Sequence, residues 1–348
     1  MKKLFLTILA LASTMATFAQ ITEQRSAMLK DGETTTIFYG IDALKNAVTA
    51  ASSNATITLS AGKFNSPNAI DKPLKIYGAG FENDPVTGIE LTRIDGGLTL
   101  KNTDNPIDGF YIEGVSLTSF SSSSKTAMNN LSVIKCRLTG ISFDAETEGV
   151  ILRQSLIDGG VSASNSAKVD MMIENCFITG AISYDFDPES RIYVDHCILT
   201  AKDGSSSNYY HGPWYYTSTV INRWIRPGGV CYNCIGYWAD YYENSGTYAN
   251  CYVVPDRKWS ILFQDGQNNL NYLFDNDQPS AGEPRSFTID PAYVGYDGTV
   301  VGLHGGTYAW DKIPCTPRII SSTIDSRTSS TGKLNVNIQA EIHTPANQ

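Results

Sequence analysis

Arg153, Glu174 and Asp195 follow one another at intervals of 21 residues, and His196 comes directly after the last of them. Brought onto one surface, two carboxylates, an imidazole and a guanidinium have the makings of acid–base chemistry on a glycosidic bond. A pectate-lyase-like lyase or a glycoside hydrolase would need such a set. The same residues on a solvated ladder would simply pair, Arg153 with Glu174. An exposed pair of that kind contributes only about 0–1 kcal/mol. The ladder is the plainer reading.

A second group suits binding rather than reaction. From residue 209 the chain reads YYHGPWYYTSTVINRW, which contains Tyr209, Tyr210, His211, Trp214, Tyr215, Tyr216 and Trp224. Flat rings beside neutral polar groups fit the CH-rich faces and hydroxyls of a sugar, though rings can equally cover the wall of a β-fold. A third group, Asp185, Asp187 and Glu189, offers oxygen ligands for Ca2+. Its spacing matches no EF-hand loop, so calcium is the weaker reading. Cys231 and Cys234 make half a zinc site without a second half. No resident metal or cofactor is expected, nor does a G-x-S-x-G nucleophile signature occur.

Composition narrows the partners. The net charge is −9, with no clustered Lys/Arg run, which argues against nucleic acid as a partner. Residues 1–19 place two lysines before a short apolar run and end in small residues. That is the pattern of a cleaved export signal, and no later segment is apolar enough to span a bilayer. A secreted, periplasmic or cell-surface location follows as an expectation. Seven cysteines in such a chain would first suggest disulfides, but the odd count and the spacing point elsewhere.

The cysteines belong to a repeat. The phrases IEGVSLT, VIKCRLTG, LRQSLIDG, IENCFITG and VDHCILTA align Val115, Cys136, Ser155, Cys176 and Cys197 in one column. Ile112, Val133, Leu152, Ile173 and Val194 lie three residues before it; Leu117, Leu138, Ile157, Ile178 and Leu199 lie two after it. A period near 21 residues marks a solenoid in which each coil buries its apolar face against its neighbours. The pattern reads as two short strands meeting at a bend, with the cysteines as small core residues. Arg153, Glu174 and Asp195 then face outward, with Gln154, Asn175 and His196 beside them. Leu156, Phe177 and Ile198 form an outer apolar stripe that a loop, the tail or a ligand should cover. The longer gap from Cys197 to Cys234 implies an extra coil or a projecting loop.

The ends of the repeat are also legible. Residues 41–51 form an amphipathic helix with Ile41, Leu44, Ala47 and Val48 on one face, followed by TITLSAGKF and LKIYGAG. That order resembles the N-terminal cap and first coils of pectin-lyase-like β-helices. The phrase GYDGTVVGLHGGTYAW resembles the end of secreted right-handed β-helix proteins of Bacteroidetes, most without a defined function. The resemblance implies a fold that hosts lyases, hydrolases, adhesins and scaffolds alike. The aspartate, His-Gly and Arg-Ile-Lys set of β-helix polygalacturonases does not occur here. Beyond Pro317, residues 319–324 and 334–342 alternate apolar and polar types across a Ser/Thr/Gly turn, as a capping hairpin would.

The expected architecture is all-β. A signal peptide (1–19) precedes a right-handed parallel β-helix (20–315) with a short N-terminal capping helix, and a β-hairpin-like tail (316–348) closes the chain. The favoured function is non-catalytic binding of a glycan or cell-surface partner; the alternative is a polysaccharide-active enzyme.

Overall fold

The computed structural model describes residues 25–67, 69–85, 87–102, 104–123, 126–164, 167–180, 182, 186–199, 215–221, 229–236, 246–253, 287–315, 317–324 and 336–342. The expected signal peptide lies outside them. The described chain is all-β apart from one short helix, and it winds into a parallel β-solenoid of about seven turns. Two long sheets run the length of the stack. No helix among the described residues is long and apolar enough to cross a membrane.

The columns read from the sequence stack in register. Ile112, Val133, Leu152, Ile173 and Val194 are successive neighbours in the first sheet. Leu117, Leu138, Ile157, Ile178 and Leu199 are neighbours in the second. Both columns point inward and are buried, and Cys136, Cys176 and Cys197 lie between them, fully enclosed. The long gap before Cys234 holds an extra coil, with strands Tyr215–Thr217 and Val220–Ile221. Thr219 occupies the cysteine position there and its hydroxyl accepts the Cys197 N–H at 3.2 Å. Stacking is close along the glycine column: a Cβ added at Gly180 would lie 2.1 Å from the Gly159 carbonyl carbon, and one at Gly159 would lie 2.0 Å from the Thr139 carbonyl oxygen.

From Gly114 onward, each passage from the first sheet to the second goes through one residue of left-handed backbone. These are Gly114, Lys135, Gln154, Asn175, His196, Ser218, Asn233 and Asn250, with φ between 47° and 71°. Such a conformation costs a non-glycine residue about 1 kcal/mol or more, with Asn the most tolerant. It aims the side chains outward in a row along the bend.

The N-terminal end is closed by a helix and two strands. Strand Ser26–Asp31 pairs antiparallel with both Thr34–Tyr39 and the first coil strand, Thr56–Leu59. The helix, Ala43–Ala50, buries Ala43, Leu44, Ala47 and Val48 over the end of the core. Ile41, expected on the same buried face, precedes the helix and is 40% exposed.

Residues 287–315 add no coil. They return along the outside of the solenoid as a strap, opposite to the direction of stacking. Phe287, Ile289, Val301 and Leu303 cover Phe177, Ile198, Val220 and Ile235 in a second apolar cluster outside the tube. The outer apolar stripe is therefore covered by the chain itself. Covering each large side chain contributes about 1.5–3 kcal/mol relative to exposure. After the strap, Arg318–Ile324 and Val336–Glu341 pair antiparallel, as the alternation predicts.

Candidate functional site

The outward bend residues form a rail of polar side chains, and the strap docks on it through its backbone. Asn233 donates to the Val294 carbonyl, and the Tyr296 N–H donates to the Ser218 hydroxyl. The Asn175 amide donates to the carbonyls of Leu303 and Gly305, both at 2.8 Å, and Gln154 donates to that of Ala309. Lys135 donates to the Asp311 carboxylate and the Ile313 carbonyl. At the far end the Cys315 N–H donates to Glu113 Oε1. Lys135, Gln154, Asn175 and His196 are consequently buried, although they point away from the core. Close approach needs glycine: a Cβ at Gly305 would lie 2.5 Å from His196 Cδ2 and 1.8 Å from the Val300 carbonyl oxygen.

This rail decides the fate of the acid–base candidates. Arg153 donates from Nε and Nη2 to the same Glu174 oxygen, at 2.9 and 2.7 Å, and its guanidinium lies 3.3 Å from the centre of the Tyr308 ring. Asp195 accepts the Thr217 hydroxyl at 2.6 Å. His196, expected on an open ledge, is only 1% exposed because the strap covers it. Its Nε2 contacts Thr299 Oγ1 at 3.0 Å, and its Nδ1 sits 2.9 Å from Asp195 Oδ1 without hydrogen-bond alignment. Arg153, Glu174, Asp195 and His196 do adjoin one another, but as a paired ladder whose imidazole is sealed under a strap.

The aromatic candidates divide. Tyr209, Tyr210, His211, Trp214 and Trp224 lie outside the described residues. Tyr216 faces inward, in register between Val194 and Cys231, and is wholly buried. It is a core residue and cannot meet a ligand on the wall, because side chains alternate faces along a strand. Tyr215 points the other way and is 42% exposed. It stacks on Tyr193 of the preceding coil, with ring centres 5.1 Å apart and planes 10° apart. Tyr193 is 44% exposed, and Met172, its register neighbour on the coil before, is 43% exposed.

Met172, Tyr193 and Tyr215 thus form an apolar ladder on the outer face of the first sheet. Asp195 and Thr217 flank it on one side, and the Arg191–Asp170 ion pair on the other. Hydrogen bonding and charge from Arg191 hold the Asp170 carboxyl below its ordinary range. Tyr193 and Met172 escape notice when aromatics are sought as a sequence cluster. They become visible from the repeat, since each sits one residue before an inward Val194 or Ile173.

The acidic candidates are described in part. Asp187 accepts the Glu189 N–H at 2.8 Å, Glu189 points to solvent near Lys168, and Asp185 lies outside the described residues. Among the described residues no group of three or more His, Cys, Asp or Glu side chains is placed to hold a metal ion. Comparisons with protein-family models, curated proteins and solved structures gave no match to this chain.

Proposed function

We propose that this protein is an exported, non-catalytic β-helix that binds a glycan along the outer face of its first sheet. The observation that carries the reading is the stacked, half-exposed Tyr193–Tyr215 pair in line with Met172. Aromatic rings left in water on a regular sheet offer apolar contact to sugar CH groups, while Asp195, Thr217 and Arg191 supply hydrogen-bonding partners alongside. The resemblance to secreted pectin-lyase-like β-helices of Bacteroidetes supports export. Against catalysis at the Arg153–Asp195 ladder stand the pairing of Glu174 with Arg153 and the burial of His196. An enzyme site needs convergent, accessible ionisable groups.

The test is a panel of glycans and polysaccharides scored both for retention and for product release. Retention that falls in Tyr193→Ala and Tyr215→Ala supports the reading. A wild-type protein that retains nothing would remove it, and release of reducing or unsaturated ends would replace it with an enzyme.

A further inference from the structure

The first strand pair carries a feature that neither glycan binding nor core packing uses. Thr34–Tyr39, TTTIFY, is the edge strand at the N-terminal end of the first sheet. It contains no charge, proline or bulge, the devices by which edge strands are ordinarily protected from pairing. Its hydrogen-bonding pattern can be read from its neighbour. The Gly40 N–H donates to the Arg25 carbonyl and the Ser60 N–H to that of Ser26, so Arg25, Ala27, Leu29 and Asp31 face the edge strand. Their partners Phe38, Thr36 and Thr34 face back. The main-chain N–H and C=O groups of Thr35, Ile37 and Tyr39 therefore point outward from the sheet. Ile37 is 49% exposed, Tyr39 59%, and Met28, opposite Ile37, 41%.

The second sheet treats its corresponding edge differently. In its first strand, Gly62–Asn65, Lys63 is paired with Asp95 and the Asn65 N–H donates to the Ile41 carbonyl. The Arg25 side chain lies over Gly62. That edge is charged and covered; the strand Thr34–Tyr39 carries no charge, and among the described residues nothing pairs with its outer side.

We infer that Thr34–Tyr39 is a homodimer interface, pairing antiparallel with the same strand of a second copy about a two-fold axis through Ile37. The free groups are self-complementary in this register. Ile37 faces its own counterpart, and Thr35 faces Tyr39 of the other chain. Each pair exchanges both N–H···O=C bonds, as directly opposed antiparallel residues do. A small side chain then meets a large one at both ends. Glu33 lies toward the end of the other copy that carries Arg25, while Asp42 is engaged by the Asn65 amide. The contact is isologous and closes at two subunits, so it does not propagate into fibres. A second copy is the occupant because the strand matches itself in hydrogen bonding, size and charge. The inference is independent of the glycan reading.

Light scattering or sedimentation of the purified protein across a dilution series tests it. A reversible dimer is expected. Thr35→Pro removes an edge-facing N–H without disturbing a bond inside the sheet, and Ile37→Lys places charge on the axis. Each should raise the dissociation midpoint at least tenfold with the circular dichroism spectrum unchanged. A positive readout comes from Ile37→Cys in a Cys315→Ser background. Opposed hydrogen-bonded residues have Cα atoms about 5.5 Å apart, within the disulfide range of about 4.4–6.8 Å, so oxidation should give a covalent dimer. A protein that stays monomeric, or a dimer indifferent to both edge variants and not captured by Ile37→Cys, would overturn the inference.

Discussion

His196 Nε2 lies 3.0 Å from Thr299 Oγ1, a contact between residues 103 apart in the chain that fixes the strap against the middle of the solenoid. The Thr299 hydroxyl donates to Asp297 and accepts the Gly306 N–H, so one side chain ties the imidazole, a carboxylate and the strap backbone together. The rest of the rail repeats this logic with other polar residues.

Removing the rail's best donor should loosen the strap. Asn175→Ala leaves the Leu303 and Gly305 carbonyls without their buried donor and gives up the residue type most tolerant of left-handed backbone. A loss of about 3 kcal/mol is expected in urea unfolding. A loss below about 1 kcal/mol would mean that apolar cover alone holds the strap.

Adjacent tyrosines should behave as opposites. Tyr216→Ala opens a cavity in the core and should cost about 3–5 kcal/mol of stability. Tyr215→Ala, on the exposed face, should leave stability within about 0.5 kcal/mol while weakening glycan retention. Melting and retention assays on the two variants give the comparison; similar stability losses would contradict the register.

Acid should release part of the strap's anchoring. Burial alone would raise the Asp297 carboxyl, but hydrogen bonds from the Thr299 N–H and hydroxyl, with the nearby His196, hold it below its ordinary value. A depressed folded value stabilises the fold above the unfolded carboxyl range, near about 3.9, and that contribution disappears as pH falls through the folded value. The stability gap between wild type and Asp297→Asn should therefore be present at neutral pH and shrink under acid. Urea midpoints of both proteins measured down a pH series decide it; a gap that widens below the carboxyl range would reverse the sign.

The thiols should sort by depth. Burial pushes the Cys136 thiol up to about 12 and raises those of Cys197 and Cys234 as well. Cys315 is exposed, its thiol raised by partial burial with Lys135 opposing. Native labelling with a maleimide should modify Cys315 first, faster as pH rises, because the thiolate is the nucleophile. Labelling of the full set of seven cysteines should require unfolding. Rapid labelling of Cys136, Cys176 or Cys197 in the folded protein, read by peptide mass, would contradict their place in the core.

Much of the site's framework was legible in the repeat. The inward columns through Ile173 and Cys176 could be read because burial restricts those positions to small or apolar residues, coil after coil. The stripe of Leu156, Phe177 and Ile198 announced that something must cover it. What covers it was not legible, because the strap has no periodicity of its own. Its glycines and polar residues answer to the rail, and Gly305 is explained by the Val300 carbonyl and the His196 ring pressed against it. The exposed Tyr193–Tyr215 pair falls between these cases, visible once the register is known and hidden while aromatics are judged by local density.

By itself the amino-acid order determined the solenoid, its inward columns and the outward placement of Arg153, Glu174 and Asp195, since stacking at a fixed period makes spacing equivalent to geometry. Tertiary structure alone decided which outward residues meet water. The strap returns from more than a hundred residues away and converts His196 and Asn175 from an open ledge into buried anchors, while leaving Tyr193 and Tyr215 uncovered. Exposure depends on what the rest of the chain lays over a surface, and no local pattern encodes that.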